Sequence, residues 1–291
     1  MNTGPTPSAD KLGTAHATEH FKILADIARE LAGTVVFPTS FDAALRLRKE
    51  LQNPDLPTAR IASIVGVEPL IATKLMHLAG SALYSPDGSP AKDLRAAISR
   101  LGVELVRTTA LTIAMSQILR SRDMEVFSDL TATLWEHTLK TAAAARILAR
   151  TQTRINPDEA LLAGLVHDLG AFYLLYRAAQ YPELRAQPES VKGLIVEWHE
   201  NIGVTLLNAL GMSEAVVAAS TDHDQVRSPL PAVQTLADII YIGSLLDNAH
   251  FAWMHPEIDP EASEAVAARL AFADLLPDIE SDALAMQAVF A

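Results

Sequence analysis

The chain has 291 residues, a net charge of −12, no cysteine, and 49% hydrophobic residues. It is long enough to bury a core without staples, as one or two domains. The missing cysteine excludes a disulfide framework and thiolate zinc sites. The negative field argues against non-specific nucleic-acid binding, which needs clustered Lys and Arg.

Residues 1–20, rich in Thr, Pro, Ala and His, read as a loose tail without the charged and apolar regions of a secretory signal. A helix is predicted from Phe21 to Ala32, stopped by Gly33. Phe37-Pro38-Thr39-Ser40 forms a turn with Ser40 as N-cap, and Phe41, Ala44, Leu45 and Leu51 then follow helical spacing until Asn53-Pro54-Asp55-Leu56-Pro57 breaks it. Thr58 caps a short helix through Ile61, Ile64 and Val65. Glu68-Pro69 opens the next, whose buried face is Leu70, Ile71, Leu75 and Leu78. Ser85-Pro86-Asp87-Gly88-Ser89-Pro90 is a loop, followed by helices over Asp93–Leu101 and Val103–Leu119.

The second half carries stronger start and stop signals. A helix over Leu134–Ala149 ends in Arg146 and Arg150, cations suited to a helix C-terminus. Asn156-Pro157-Asp158-Glu159 joins an Asn cap, Pro at N1 and acids in the first turn, and this helix reaches His167-Asp168 before Gly170. Further helices are expected over Val191–Leu210, stopped by Gly211, then from a Ser213 cap to Asp222-His223-Asp224. A last one opens at Pro229 and Pro231 and runs through Ala237, Ile240 and Leu245. Residues 256–291 hold eight acids and one base, Arg269, and so carry −7 of the total charge. Leu270, Phe272, Leu275 and Leu276 make that segment amphipathic. The fold class is therefore all-α, with about a dozen helices. The apolar runs Ala142–Ala145 and Ala160–Val166 fall far short of the roughly 18–20 residues of a membrane span. A cytoplasmic protein with no membrane partner is expected.

Histidine and aspartate carry the chemistry. His137, His167-Asp168, His199 and Asp222-His223 lie on four separate predicted helices, and Asp238 on a fifth. Imidazole with carboxylate suits Fe, Mn, Zn or Ni, and carboxylate with water suits Mg. Adjacent His167 and Asp168 stand about 100° apart on a helix, so both reach one ion only where the helix ends. Each residue alone is as readily a hydrogen-bonded core group. Arg95, Arg100, Arg107, Arg120 and Arg122 fall on different helix faces, so they read as solvated ion pairs rather than a basic stripe.

The order His137, His167-Asp168, Asp238 resembles the H…HD…D signature of the HD superfamily of metal-dependent phosphohydrolases, and His199 and His223 are similar to the additional histidines of its HD-GYP members. The front half narrows this. Phe37-Pro38-Thr39, Asn53-Pro54-Asp55, Ile61-Ala62, Glu68-Pro69, the stretch 75–84 and Ala97-Ile98-Ser99-Arg100-Leu101-Gly102 together resemble the HDOD (HD-related output) domain over about residues 34–228.

The resemblance implies a two-lobed helical bundle: a tail and leading helix in 1–33, an HDOD domain in 34–229 and C-terminal helices in 230–291. Within the domain, an N-terminal lobe (34–125) docks on an HD-like lobe (126–229). The implied metal ligands are His137, His167, Asp168 and Asp238, with His199 and His223 for a second divalent metal or a phosphate. HDOD proteins are bacterial signalling modules, often fused to receiver, GGDEF or EAL domains, to which enzymatic activity is generally not attributed. The expectation is a stand-alone, non-catalytic regulatory protein that meets a protein partner or a small ligand and forms a homodimer. The alternative is a metal-dependent phosphohydrolase. Two departures from HD-GYP enzymes favour the former: Leu169-Gly170 is followed by Ala171 rather than Lys, a cation that would stabilise transition-state charge, and the next segment, Phe172 to Tyr176, is apolar. Gly80 stands where the HDOD pattern has Asn.

Overall fold

The computed structural model describes residues 22–29, 47, 49–51, 53, 56–225, 227, 232–247 and 264–290. The expected features at 1–20, Phe37 to Ser40, Pro229 and Pro231 lie outside the described residues. Thirteen named α-helices and no strand occur among the described residues, so the all-α class holds.

The front group comprises α1 (Thr58–Val65), α2 (Pro69–Gly80), α3 (Leu94–Leu101) and α4 (Val103–Leu119). Pro69 starts α2 at N1, and Ile71, Leu75, Leu78 and Ala79 form its buried stripe; Leu70 is instead exposed. Asp93 caps α3 by accepting the Ala96 N–H at 2.8 Å. Gly102, at φ +79°, turns the chain sharply from α3 into α4 with a backbone that side chains disfavour. Helix α4 is buried around most of its circumference, including Thr108, Thr109 and Thr112, because it packs on α2 and α3 on one side and on the later helices Pro157–Val166 and Leu169–Ala178 on the other.

A 3-10 turn, Arg122–Phe127, leads into α5 (Ser128–Gln152), the longest helix. The Ala142–Ala145 run is fully buried, and small side chains there let α6 (Pro157–Val166) approach closely. Asn156 caps α6 by accepting the Asp158 N–H at 2.9 Å, as its sequence signature predicts. Then follow α7 (Leu169–Ala178), α8 (Pro182–Arg185), α9 (Pro188–Ala209), α10 (Glu214–Ala219), α11 (Leu236–Leu245), α12 (Glu264–Ala271) and α13 (Leu276–Phe290). The run 157–178 is apolar enough to cross a membrane, but 89% of its window is buried and it is the core of the rear group.

The helical stretch 22–29 and helix α13 both dock on this body. In the helical stretch 22–29, Ile23 and Ile27 are buried, and Asp26 accepts the Tyr181 hydroxyl at 2.5 Å. Helix α13 lies on α5, where Asp282 pairs with Arg146 at 3.0 Å. The same guanidinium reaches the Leu83 carbonyl at 3.3 Å and lies over the Tyr84 ring at 4.8 Å. Arg146 thus serves as a joint between front group, rear group and C-terminal helix, rather than as a cation for the end of α5.

Candidate metal centre

Four helices and two turns converge on one buried point. His137 projects from α5. His167 and Asp168 occupy the break between α6 and α7, where Asp168 has φ −98° and ψ 18°, so the chain leaves the helix and restarts. Gly170 does not stop a helix as the sequence suggests: it lies inside α7, and its missing side chain is what α9 needs. A Cβ there would stand 1.9 Å from the His199 carbonyl oxygen and 2.6 Å from the Gly203 nitrogen. That backbone contact brings His199 of α9 beside Asp168. After α10, Asp222 adopts a left-handed turn, φ 54°, which sends both His223 and Asp224 inward.

The resulting cluster is sealed: His137 and His223 are 0% exposed, His167 and Asp168 1%. Three histidines are fixed by their Nδ1–H groups, which donate to backbone carbonyls: His167 to Gly164 (2.7 Å), His199 to Ile195 (2.8 Å) and His223 to Ser220 (3.3 Å). Such bonds fix each ring with Nδ1–H on the backbone and Nε2 turned toward the centre, the orientation a histidine ligand needs. His137 is oriented by Asp247, whose Oδ2 lies 3.0 Å from its Nδ1.

Asp168 stands between two sets of nitrogens. On one side, His223 Nε2 is 3.2 Å and His199 Nε2 3.8 Å from Oδ1, with Asp224 Oδ2 3.2 Å from His199 Nε2. On the other, His167 Nε2 is 3.3 Å and His137 Nε2 3.8 Å from Oδ2. Each set gathers its donor atoms within 4.8 Å of one another, and Asp168 belongs to both.

Proton accounting tests whether a cation fits. His137 Nε2 and His167 Nε2 are 3.1 Å apart. With Nδ1–H of each ring directed at an oxygen, both Nε2 atoms bring lone pairs to that contact, which is repulsive unless a positive charge lies between or beside them. His199 Nε2 is buried and makes no hydrogen bond. Nitrogen and carboxylate donors of this kind suit Fe, Mn, Zn or Ni. The residues present therefore fit a divalent metal.

Charge differs across the cluster. Burial drives the His167 pKa down to about 3, against the pull of Asp168. Burial acts the same way on His223, but Asp224, Asp168 and Glu200 outweigh it and push its pKa up to about 10. His199 is also raised: Asp224 and Asp168 together overcome its desolvation.

Among the expected site residues, the structure brings together His137, His167, Asp168, His199 and His223. It does not bring Asp238. That carboxylate accepts the Thr235 and Gln234 N–H groups at 2.8 and 3.0 Å, while Thr235 accepts the Asp238 N–H at 3.1 Å, a capping box that starts α11. The acids beside the histidines are Asp224 and Asp247. Asp224 was detectable as a second His-Asp pair, His223-Asp224; Asp247, just past the end of α11, carries no motif.

The HDOD domain profile matches residues 37–226, and the chain belongs to the HDOD family. An uncharacterized protein of Treponema pallidum (strain Nichols) is 24% identical over 223 residues, 71% of this chain; the chain spans 40% of the length of that curated relative. A presumed metal-dependent phosphohydrolase of Shewanella amazonensis SB2B shares the fold at TM-score 0.72 and 22% identity, with 94% of this chain and 100% of that one covered. An HDOD domain protein of unknown function from Geobacter sulfurreducens matches at TM-score 0.56 and 20% identity, covering 89% and 96%. A presumed signal transduction protein of Marinobacter aquaeolei VT8 matches at 0.55 and 20%, covering 94% and 66%.

Proposed function

We propose that this chain is a non-catalytic regulatory module of bacterial signal transduction, acting in the cytoplasm, whose His/Asp centre holds a divalent metal for structural purposes. The observation that carries the reading is burial: the residues that would hold the metal are almost wholly withdrawn from solvent. They are His137, His167 and Asp168 on one side, and Asp168, His199, His223 and Asp224 on the other. A bound divalent ion supplies Lewis acidity and lowers the pKa of bound water, chemistry that needs an accessible substrate to become turnover. The side chains around the centre add no phosphate-facing cation after His167-Asp168: Ala171, Phe172 and Tyr173 are packed in the core. The module works through its surface, on a signalling protein, a second copy of itself, or a small ligand.

A second reading, a metal-dependent phosphohydrolase, draws on the completeness of the donor set around Asp168 and on the name of the Shewanella neighbour. One experiment separates the two. Protein purified without chelator is analysed for metal, then assayed with bis-p-nitrophenyl phosphate in Mn, Fe, Ni and Mg. The regulatory reading expects bound metal and no turnover above that of His167→Ala. Turnover abolished by His167→Ala would make the protein an enzyme. Less than about a tenth of an equivalent of any divalent metal would remove the metal from both readings.

A further inference from the structure

A cavity of about 240 Å³ lies between the end of α4, the 3-10 turn and the start of α5, apart from the His/Asp centre. Its walls include Met124, Ser116, Ser121 and Trp135, with Arg120 and Glu125 at the rim. Most buried polar groups in a folded protein find a partner, so the exceptions are informative. Here the Ser121 hydroxyl is buried without a hydrogen bond. Ser116, 8% exposed, stands on the same wall. Trp135 packs its core side edge-on against Phe172, with ring centroids 6.2 Å apart, and is otherwise only partly covered.

A further cavity, about 370 Å³ beside Asn156 and Ser213, is different in kind. Its polar groups are already used: Asn156 caps α6 and Ser213 caps α10, and Glu104, Asp158 and Glu159 make it acidic. The Trp135 cavity instead combines a partly covered aromatic, a buried hydroxyl without a partner and apolar walls, the composition of a small-molecule site. Its volume is below the roughly 300–1,000 Å³ of sites for drug-sized ligands, which limits the occupant to about one ring with short substituents. Arg120 donates to the Phe290 carbonyl at 3.0 Å. Glu125, exposed like Arg120, gives the lining one negative group beside this positive one.

We propose that this cavity binds a small neutral or zwitterionic molecule with an aromatic body, stacked on Trp135 and hydrogen-bonded to Ser116 and Ser121. The site is independent of the metal centre and of any activity there. It gives a regulatory chain a place to read a metabolite.

The test uses four one-ring probes with the full chain, followed by saturation-transfer NMR and tryptophan fluorescence: L-phenylalanine, benzyl alcohol, benzoate and phenethylamine. Phenylalanine and benzyl alcohol are expected to bind saturably. Benzoate and phenethylamine, each of which sets a like charge against Glu125 or Arg120, are expected to bind roughly tenfold more weakly. Ala132→Phe places a ring at the exposed mouth of the cavity and is expected to abolish binding with the helical circular dichroism unchanged. Ser121→Val, which removes a hydroxyl without filling the mouth, is expected to weaken benzyl alcohol about tenfold and serves if Ala132→Phe fails to fold. The proposal is overturned if neither phenylalanine nor benzyl alcohol saturates, if the variant that folds binds as the parent does, or if benzoate binds as tightly as phenylalanine.

Discussion

The two sides of Asp168 are built alike and charged differently. Each depends on a glycine that lets two helices touch backbone to backbone. On the His137–His167 side the glycine is Gly164 of α6, where a Cβ would stand 2.5 Å from the Ala142 Cα of α5. On the His199–His223 side it is Gly170 of α7, pressed on His199 and Gly203 of α9. Yet His167 is held neutral, with its pKa near 3, while His223 is held protonated, with its pKa near 10. Both rings are fully buried, so desolvation alone cannot separate them. The difference is in the acids: Asp224 and Glu200 add to Asp168 around His223, whereas His167 has Asp168 and two neighbouring histidines that oppose protonation. One carboxylate shared between two sets of histidines thus leaves their protonation to the acids behind them.

The largest expected effect comes from closing the Gly170 contact. Overpacked cores commonly lose about 1–3 kcal/mol, and a clash with rigid backbone falls at or beyond the upper end. Gly170→Ala is expected to cost about 3 kcal/mol or more, read as a fall in the urea midpoint or failure to fold. Gly193→Ala is the control on the same helix as His199. Nothing lies within 4 Å of a Cβ there, so the change should be neutral or stabilising by up to about 1 kcal/mol. An equal loss at both glycines would break the comparison.

Gly164→Ala should come next, at about 2 kcal/mol, because its closest approach, 2.5 Å to the Ala142 Cα, is less severe than the 1.9 Å at Gly170. If the two sides are separately positioned, nuclear magnetic resonance signals of His137 and His167 should move more than those of His199 and His223. Gly170→Ala, where it folds, should reverse that pattern.

The pH dependence of the metal-free protein sharpens the contrast further. His223 has its folded pKa raised from 6.5 to about 10, so its contribution to stability is complete below about pH 6.5 and is lost as pH rises toward 10. His167 has its folded pKa lowered to about 3, so its contribution is complete above about pH 6.5 and is lost as pH falls toward 3. The two sides fail at opposite ends of the scale. In chelator, urea midpoints should fall toward both pH 5 and pH 9.5, and His223→Gln should flatten only the alkaline limb.

The sequence makes the helices and most of the centre readable, for identifiable reasons. Asn156-Pro157 and Asp93 satisfy helix starts by local chemistry, so their helices begin where the residues say. The four histidines were legible through their order along the chain, His137, His167-Asp168, His199 and His223, which resembles the HD signature, whereas each one alone reads as readily as a core group. Gly170 was misread because a glycine after His-Asp looks like a stop signal, and only the neighbouring helix reveals its use. Asp238 was misread for a similar reason. Acids near a helix start serve the helix dipole and its free N–H groups as readily as a metal, and nothing in Leu236-Ala237-Asp238 distinguishes the two roles.

Substitution at that aspartate gives the smallest expected effect and the clearest test of the assignment. Asp238→Asn removes the charge that accepts the Thr235 and Gln234 N–H groups but leaves an amide oxygen able to accept one of them. The loss should be about 0.5–1 kcal/mol, the lower part of the range for disrupted caps. Metal content and the His137 resonances should stay as they are, since the carboxylate does not touch the cluster. Asp247→Asn lies only nine residues on, yet it acts on the ring itself: its Oδ2 lies 3.0 Å from His137 Nδ1, and Lys140 lies 3.8 Å from its other oxygen. It should shift His137 and reduce metal retention with a comparable change in stability. Were Asp238→Asn to lower metal retention and Asp247→Asn to spare it, the residue orienting His137 would have been assigned to the wrong end of α11.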